Sequence, residues 1–190
     1  MRFPSDIRRT DEIARLNGSR PPPVVFRHFR PADAVVHLSG EDEATSRWLS
    51  GGVSTEESVL RWIRSNEENW SNDGPRFAFA VRTPVGELVG VIEFNVDYLH
   101  FAGLEPGDAN VSYGLYPQYR GQGLATSALL NIRELMKSKG VRRAVIRIEP
   151  ENLDSIRLAE RCGYVHVGAV TNGVGTTYLM FVSDLARESD

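Results

Sequence analysis

Within one short stretch the chain changes hydrophobic period, and that change limits what it can fold into. "NVSYGLY" (Asn110 to Tyr116) reads as a strand. From Gly123 onward Ala125, Ala128, Leu129, Ile132 and Met136 recur at three and four residues, as on one helix face. "PQYRGQG" lies between, with Gly121 and Gly123 one residue apart. Glycines at such a junction let backbone N–H groups point into one concavity without Cβ obstruction. The following helix adds its unpaired first-turn donors and the positive end of its dipole. A turn of this kind suits phosphate, most naturally a pyrophosphate.

Residue identities exclude two phosphate-binding motifs. A dinucleotide fingerprint needs Gly or Ala where Thr126 stands, and an acidic residue ending the next strand, which closes as Arg147-Ile148. A P-loop needs Gly-Lys-Ser/Thr, which is absent. Thr126 offers a hydroxyl and Arg120 a cation able to reach a phosphate. The glycine pair by itself also fits a tight turn that binds nothing.

The rest of the chain supplies the frame. Residues 1–23 read as an N-terminal extension: Ser5 caps a short helix carrying Ile7, Ile13 and Leu16, Asn17-Gly18 ends it, and Pro21, Pro22 and Pro23 form a stiff connector. Residues 24–190 read as one domain. "VVFRHF" is the first strand, a short helix follows Pro31, and a loop runs through Trp48-Leu49. Ser54 with Glu57 forms a capping box for a helix whose stripe is Val59, Trp62, Ile63 and Trp70. "RFAFAVR" and "ELVGVIEFNVDY" form a strand pair, and "FAGLEPGD" is a loop. "RAVIRI", "NLDSIRLAERC", "YVHVGAV" and "TTYLMFV" read as strand, helix, strand and strand, with Gly140 stopping the helix before them. Strands first, then two βα units, then two strands give an α+β (mixed α/β layer) fold rather than a doubly wound one.

Composition narrows function by exclusion. With 190 residues, 41% hydrophobic and 25% charged, the chain suits one soluble domain. A net charge of −3 gives no nucleic-acid footprint. Cys162 is the sole cysteine, so cysteine-cluster metal sites are excluded, and His28, His37, His100 and His166 lack metal-ligand spacing. No apolar run is long enough for a membrane span or a signal peptide. The expectation is a cytoplasmic, metal-free protein without membrane or nucleic-acid partners.

The glycine turn has a more specific likeness. "Gln118-Tyr119-Arg120-Gly121-Gln122-Gly123" resembles the Gln/Arg-x-x-Gly-x-Gly/Ala signature of the GNAT acyl-CoA-dependent N-acyltransferases. "EPENLDSIRLAERCGYVHVGAV" follows in family order, with Asn152-x-x-Ser155 opening a helix and Gly163-Tyr164 opening a strand. Within that superfamily the chain looks most like the RimJ/RimL-like branch, named for ribosomal-protein N-terminal acetyltransferases. The likeness is dense from about Gly90 to Val170 and looser from Val24. It implies a mostly antiparallel sheet of about seven strands flanked by helices, with acetyl-CoA as co-substrate. It further implies that amides from Arg120 through Gly121, Gln122 and Gly123 to Leu124, with Gln118, Ala125 and Thr126, hold the pyrophosphate. Leu115 and Tyr116 would bond the pantetheine like a neighbouring strand. Asn152 would reach the coenzyme, although its residue type equally suits helix N-capping.

Acyl transfer to an amine needs a proton acceptor, donors for the oxyanion and a partner for the leaving thiolate. Backbone N–H groups at Gly114–Leu115 are the candidate oxyanion donors. This branch often has Glu where Asn110 stands here, which shifts attention to the preceding strand. There Glu93, Asn95 and Asp97 alternate with Ile92, Phe94 and Val96. Glu93 is the first candidate base, Asp97 the second, and His100 a third; the same alternation also suits a solvated strand face. Many GNAT enzymes carry a tyrosine where this chain has Ala159, so Ser155 is the candidate partner for the thiolate. Tyr164 reads as core. Cys162 lacks a base partner for an acyl-cysteine route.

Acceptor identity is open at this stage. Glu105 and Asp108 could attract an ammonium group, which fits a peptide or protein N-terminus, an aminoglycoside-like antibiotic, a polyamine or another small amine. The competing reading is a non-catalytic acyl-CoA-binding protein with a sensing or scaffolding role, supported by the missing tyrosine and by Asn110. The N-terminal helix and closing strands offer surfaces for a homodimer.

Overall fold

The computed structural model describes residues 21–186, so the expected helix at Ser5 to Leu16 lies outside the described residues. A seven-stranded sheet runs in the order β1-β2-β3-β4-β5-β7-β6. Its strands are β1 (Val25–Arg27), β2 (Arg76–Arg82), β3 (Leu88–Asn95), β4 (Asp108–Leu115), β5 (Arg143–Ile148), β6 (Val165–Thr171) and β7 (Thr177–Asp184). Every neighbouring pair is antiparallel except β4 and β5. The expected mostly antiparallel α+β sheet of about seven strands is what forms.

Among the described residues five α-helices flank it: α1 (Ala34–Gly40), α2 (Glu43–Thr45), α3 (Glu56–Ser71), α4 (Leu124–Ser138) and α5 (Leu153–Arg161). On one face Leu129, Ile132 and Met136 of α4 and Leu158 and Ala159 of α5 join Phe77, Phe79, Ile92, Phe94 and Val111 in the larger core. On the other, Ala34 of α1 and Val59 and Ile63 of α3 cover Ala80, Leu88 and Val91. Layers on both faces bury most of the central strands.

Local signals explain the helix ends. Gly140 (φ +76°) follows α4; its N–H reaches Lys137 and the N–H of Val141 reaches Met136, which is the 6→1 and 5→2 pairing of a Schellman stop. Gly163 (φ +80°) ends α5 in the same way, and Tyr164 beyond it is buried at 3%. The cap of α3 falls one residue later than expected. Thr55 accepts from the Ser58 N–H and Ser58 Oγ accepts from the Thr55 N–H, while Glu57 pairs with Arg61 on the surface. Two short hydroxyl side chains close that reciprocal box at short range.

Two further expectations change. The segment read as a loop through Trp48-Leu49 is α2 continued by a π-helical turn, Ser46–Ser50. Asp42 starts it, accepting from both the Thr45 N–H and its hydroxyl. The stripe on α3 also divides: Val59 and Ile63 are buried, Asn66 takes the next inward position, and Trp70 turns to Phe77 and Phe79. There the indole N–H donates to the Ala78 carbonyl (3.1 Å).

Candidate active site

The splay between β4 and β5 creates the site. Their parallel pairing covers only Asp108–Asn110 with Arg143–Val145, yet β4 continues to Leu115 and β5 to Ile148. Beyond Asn110 the two strands part, and one edge of β4 loses its partner. On the other edge the Tyr116 N–H donates to the Val89 carbonyl (2.9 Å). Antiparallel alternation then aims the polar groups of Asn110, Ser112 and Gly114 at β3, and those of Val111, Tyr113 and Leu115 into the gap. So Leu115, not Gly114, presents an N–H to the gap, and the Tyr116 N–H is already bonded. Both corrections come from strand register, which the residue string does not show.

Next to this gap lies a cleft of about 820 Å3, lined by Tyr113 to Leu115, the glycine turn, the start of α5 and the segment 44–49. Gly121 (φ +74°) and Gly123 (φ +78°) both adopt the left-handed region, where a side chain is strained. Arg120 donates its N–H to the Pro117 carbonyl, and the first helical bond of α4 is Ser127 to Gly123. The six amides of residues 121–126 therefore lack acceptors among the described residues. No side chain caps the helix either. An uncapped helix start of this kind suits an anion.

Side chains around the turn partly depart from expectation. Arg120 is not free to reach outward. Its guanidinium holds Asp42 bidentately (2.6 and 2.9 Å) and its Nε donates to the Leu115 carbonyl (2.9 Å), tying α2 to the turn. That pairing holds the Asp42 carboxyl well below the usual carboxylate range. Gln122 donates back to the Gln118 carbonyl (2.9 Å), and Gln118 is exposed outside the cleft. Leu124 is core. Ala125, Thr126 and Asn152 line the cleft, and Asn152 caps α5 by accepting from the Ser155 N–H (3.2 Å). Pro22 of the connector also reaches this turn: its carbonyl accepts from the Ser127 hydroxyl (2.5 Å).

The two faces of β4 carry different chemistry. Toward α5, the Tyr113 and Ser155 hydroxyls share a hydrogen bond of 2.7 Å inside the cleft. Burial pushes the Tyr113 phenol up, so it stays protonated. Toward α3, the Ser112 hydroxyl donates to Glu93 Oε1 (3.2 Å). Burial raises the Glu93 carboxyl despite the opposing charge of Arg76 and the Ser112 bond. Adjacent strand residues point to opposite faces, so these hydroxyl and carboxylate groups flank the free edge of β4 from opposite sides.

The remaining candidates separate from this pair. Asn95 shares the Glu93 face, but Asp97 lies past the strand end, at the start of the 3-10 turn Tyr98–His100. His100 is exposed against Phe101. Asn110 accepts from Arg147 Nε (3.0 Å). Glu105 and Asp108 are not open to an ammonium group: Arg143 binds both, at 2.9 Å and 2.7 Å. Tyr113, Arg147 and the lining residues Thr45 and Trp48 were not singled out by sequence. Of these, only Tyr113 carried a signal, its place next to Ser112 in the strand before the turn.

A splayed parallel strand pair, with one edge of β4 left open, thus lies beside an uncapped glycine turn. Residues 24–165 match the family model of the acetyltransferase (GNAT) domain, and the chain belongs to that family. Solved structures agree in fold. AAC(6')-Ib in complex with paromomycin and acetyl-CoA superposes at TM-score 0.72 with 20% identity, covering 88% of this chain and 98% of the other. The self-immunity acetyltransferase MccE for microcin C7, in complex with acetyl-CoA and AMP, gives 0.69 and 18%, covering 85% and 92%. A Vibrio cholerae protein assigned as a ribosomal-protein-serine acetyltransferase gives 0.69 and 20%, covering 85% and 93%. No curated protein matches the chain in sequence. Among the described residues no His, Cys, Asp and Glu group is arranged for a metal, and no helix is long and apolar enough to cross a membrane.

Proposed function

We propose that this chain transfers an acetyl group from acetyl-CoA directly to a primary amine within a ternary complex. The observation that carries this reading is the run of six unpartnered amides at the start of α4, beside a strand edge left open by the splay. The coenzyme pyrophosphate fits the amides, and pantetheine fits the free edge at Tyr113 and Leu115. Glu93 takes the proton that the attacking amine releases, its raised pKa making it a stronger base than an ordinary glutamate. The Leu115 N–H faces the developing oxyanion. Ser155, backed by Tyr113, hydrogen-bonds the sulfur as the C–S bond breaks and the C–N bond forms. Asn152 orders the turn that carries Ser155.

Direct transfer is favoured over an acyl-cysteine route by Cys162, buried at 1% with its thiol pushed up to about 11 by that burial. The buried Glu93 and the Ser155–Tyr113 pair also speak against a role limited to coenzyme binding. The branch likeness to RimJ/RimL proteins points to a peptide α-amine or a small amine as acceptor.

Calorimetric titration of acetyl-CoA tests the donor half, with Gly123→Glu as control, followed by thiol release with a panel of amines. Binding lost in the variant and turnover with an amine support the reading. No binding at millimolar coenzyme overturns it, and binding without turnover on any amine favours the coenzyme-binding role.

A further inference from the structure

Arg147 differs from several of the cations around the site. Arg82, Arg120, Arg143 and Lys139 each pair with a carboxylate. Arg147 pairs with none among the described residues, although its side chain is half-buried. Three contacts hold it. Its guanidinium lies 4.7 Å from the Phe101 ring centroid and 4.8 Å from that of Tyr178, and its Nε donates to Asn110. Cation–π contact and one side-chain acceptor steady the group without neutralising it. Both terminal nitrogens, carrying four of its five donors, have no partner among the described residues.

Position gives this cation a meaning. Val145 is the last β5 residue paired with β4, opposite Asn110. Arg147 is two residues further, so it stands where β5 would be level with Ser112 had the pairing continued. It shares the face of Asn110, Ser112 and Glu93, the face away from the coenzyme cleft. Glu93, Ser112 and Arg147 thus share one face of β3, β4 and β5, and the splay between β4 and β5 sets the end groups more than two strand spacings, or upward of roughly 10 Å, apart. The free edge of β4 lies between them.

Resting on the acetyltransferase reading above, we infer that Arg147 binds an anionic group, carboxylate or phosphate, on the same acceptor whose amine meets Glu93. The charges of this face agree. Arg143 already neutralises Glu105 and Asp108, the acids that could have held additional ammonium groups, while Arg76 and Arg147 supply positive charge at its two sides. Glu105 and Asp108 therefore offer a polycation no free carboxylate. An acceptor with one amine and one anion finds a base and a guanidinium fork, and Arg suits both anions through parallel N–H donors.

Matched pairs of primary amines test this: β-alanine against β-alaninamide for carboxylate, phosphoethanolamine against ethanolamine for phosphate, with spermidine as polycation. The expected result is a kcat/KM at least about tenfold higher for the anionic member of one pair, a difference of about 1.4 kcal/mol. Which pair shows it distinguishes carboxylate from phosphate. Arg147→Gln removes the preference while acetyl-CoA affinity stays unchanged, and Arg147→Lys restores part of it. Equal rates within both pairs, spermidine as the best acceptor, or a preference that survives Arg147→Gln would overturn the inference. A readout without turnover keeps the two readings separate. β-Alanine and phosphoethanolamine titrated into isotope-labelled protein without coenzyme shift the Arg147 Nε–H resonance, and their neutral partners do not. No shift from either anion overturns the inference, whereas that shift alongside absent acetyl-CoA binding overturns only the acetyltransferase reading.

Discussion

Tyr113→Phe and Ser155→Ala, made singly and together, test how the leaving sulfur is stabilised. The two hydroxyls are 2.7 Å apart in the coenzyme cleft, and burial keeps the phenol protonated. A buried phenol of raised pKa is too weak an acid to surrender its proton to a thiolate. In the proposed mechanism it acts by holding Ser155 oriented so that the serine hydroxyl donates to sulfur. A hydrogen bond to a charged group contributes about 1.5–3 kcal/mol, so Ser155→Ala slows the single-turnover rate by roughly 10- to 150-fold. Loss of the neutral tyrosine bond costs about 1 kcal/mol, or roughly fivefold in rate. Because Tyr113 works through Ser155, the double variant is about as slow as Ser155→Ala alone, a coupling of about 1 kcal/mol in the cycle. Thiol release after rapid mixing of preloaded enzyme with saturating amine measures all four rates, and calorimetry confirms unchanged coenzyme affinity. Losses that multiply would show that Tyr113 acts independently of Ser155 and would refute the relay.

Other perturbations address the rest of the site. Gly123→Glu forces a non-glycine residue to φ +78° with its Cβ 3.2 Å from Pro22 Cδ, and sets a carboxylate at the anion site; acetyl-CoA affinity by calorimetry falls at least about 100-fold. In Glu93→Gln, kcat/KM falls by about 10²- to 10⁴-fold and the acid limb of its pH profile, centred above the ordinary glutamate value of 4.5, disappears. The folded pKa of Glu93 is raised, so its ionisation destabilises the fold as pH rises past the unfolded value, and Glu93→Gln melts higher than the parent at neutral pH. His37 is the opposite case. Burial lowers its pKa from 6.5, so the unfolded chain takes the proton first and the melting temperature drops as pH falls through that value; His37→Gln flattens this dependence. Cys162→Ala leaves turnover within about threefold of the parent, and mass spectrometry of enzyme mixed with acetyl-CoA alone detects no acetylated cysteine.

The glycine turn was the most legible part of the chain. A period change, two glycines and an unprotected helix start are local features, and their backbone angles follow from residue types. The same holds for the stops at Gly140 and Gly163. The capping box slipped by one residue because Ser54 with Glu57 matches the sequence rule, whereas the bonds are made by Thr55 with Ser58, a pair of hydroxyls the rule does not name. Segment 43–50 read as a loop because its helix depends on Asp42, and Asp42 is held by Arg120, far along the chain.

By itself, then, the sequence determined the order of elements, the α+β class and the place where a phosphate can be gripped. Tertiary structure decided which groups meet there. Register chose Leu115 over Gly114 as the open donor, and strand parity set Glu93 and Ser155 on opposite faces of one edge. Arg143 took Glu105 and Asp108 out of play, while Arg147 was left with a hydrogen bond and two rings but no counter-charge among the described residues. The physical reason is range. Backbone conformation at a turn depends on neighbours a few residues away, whereas the charge and pKa of a side chain depend on whatever the fold brings within a few ångströms of it.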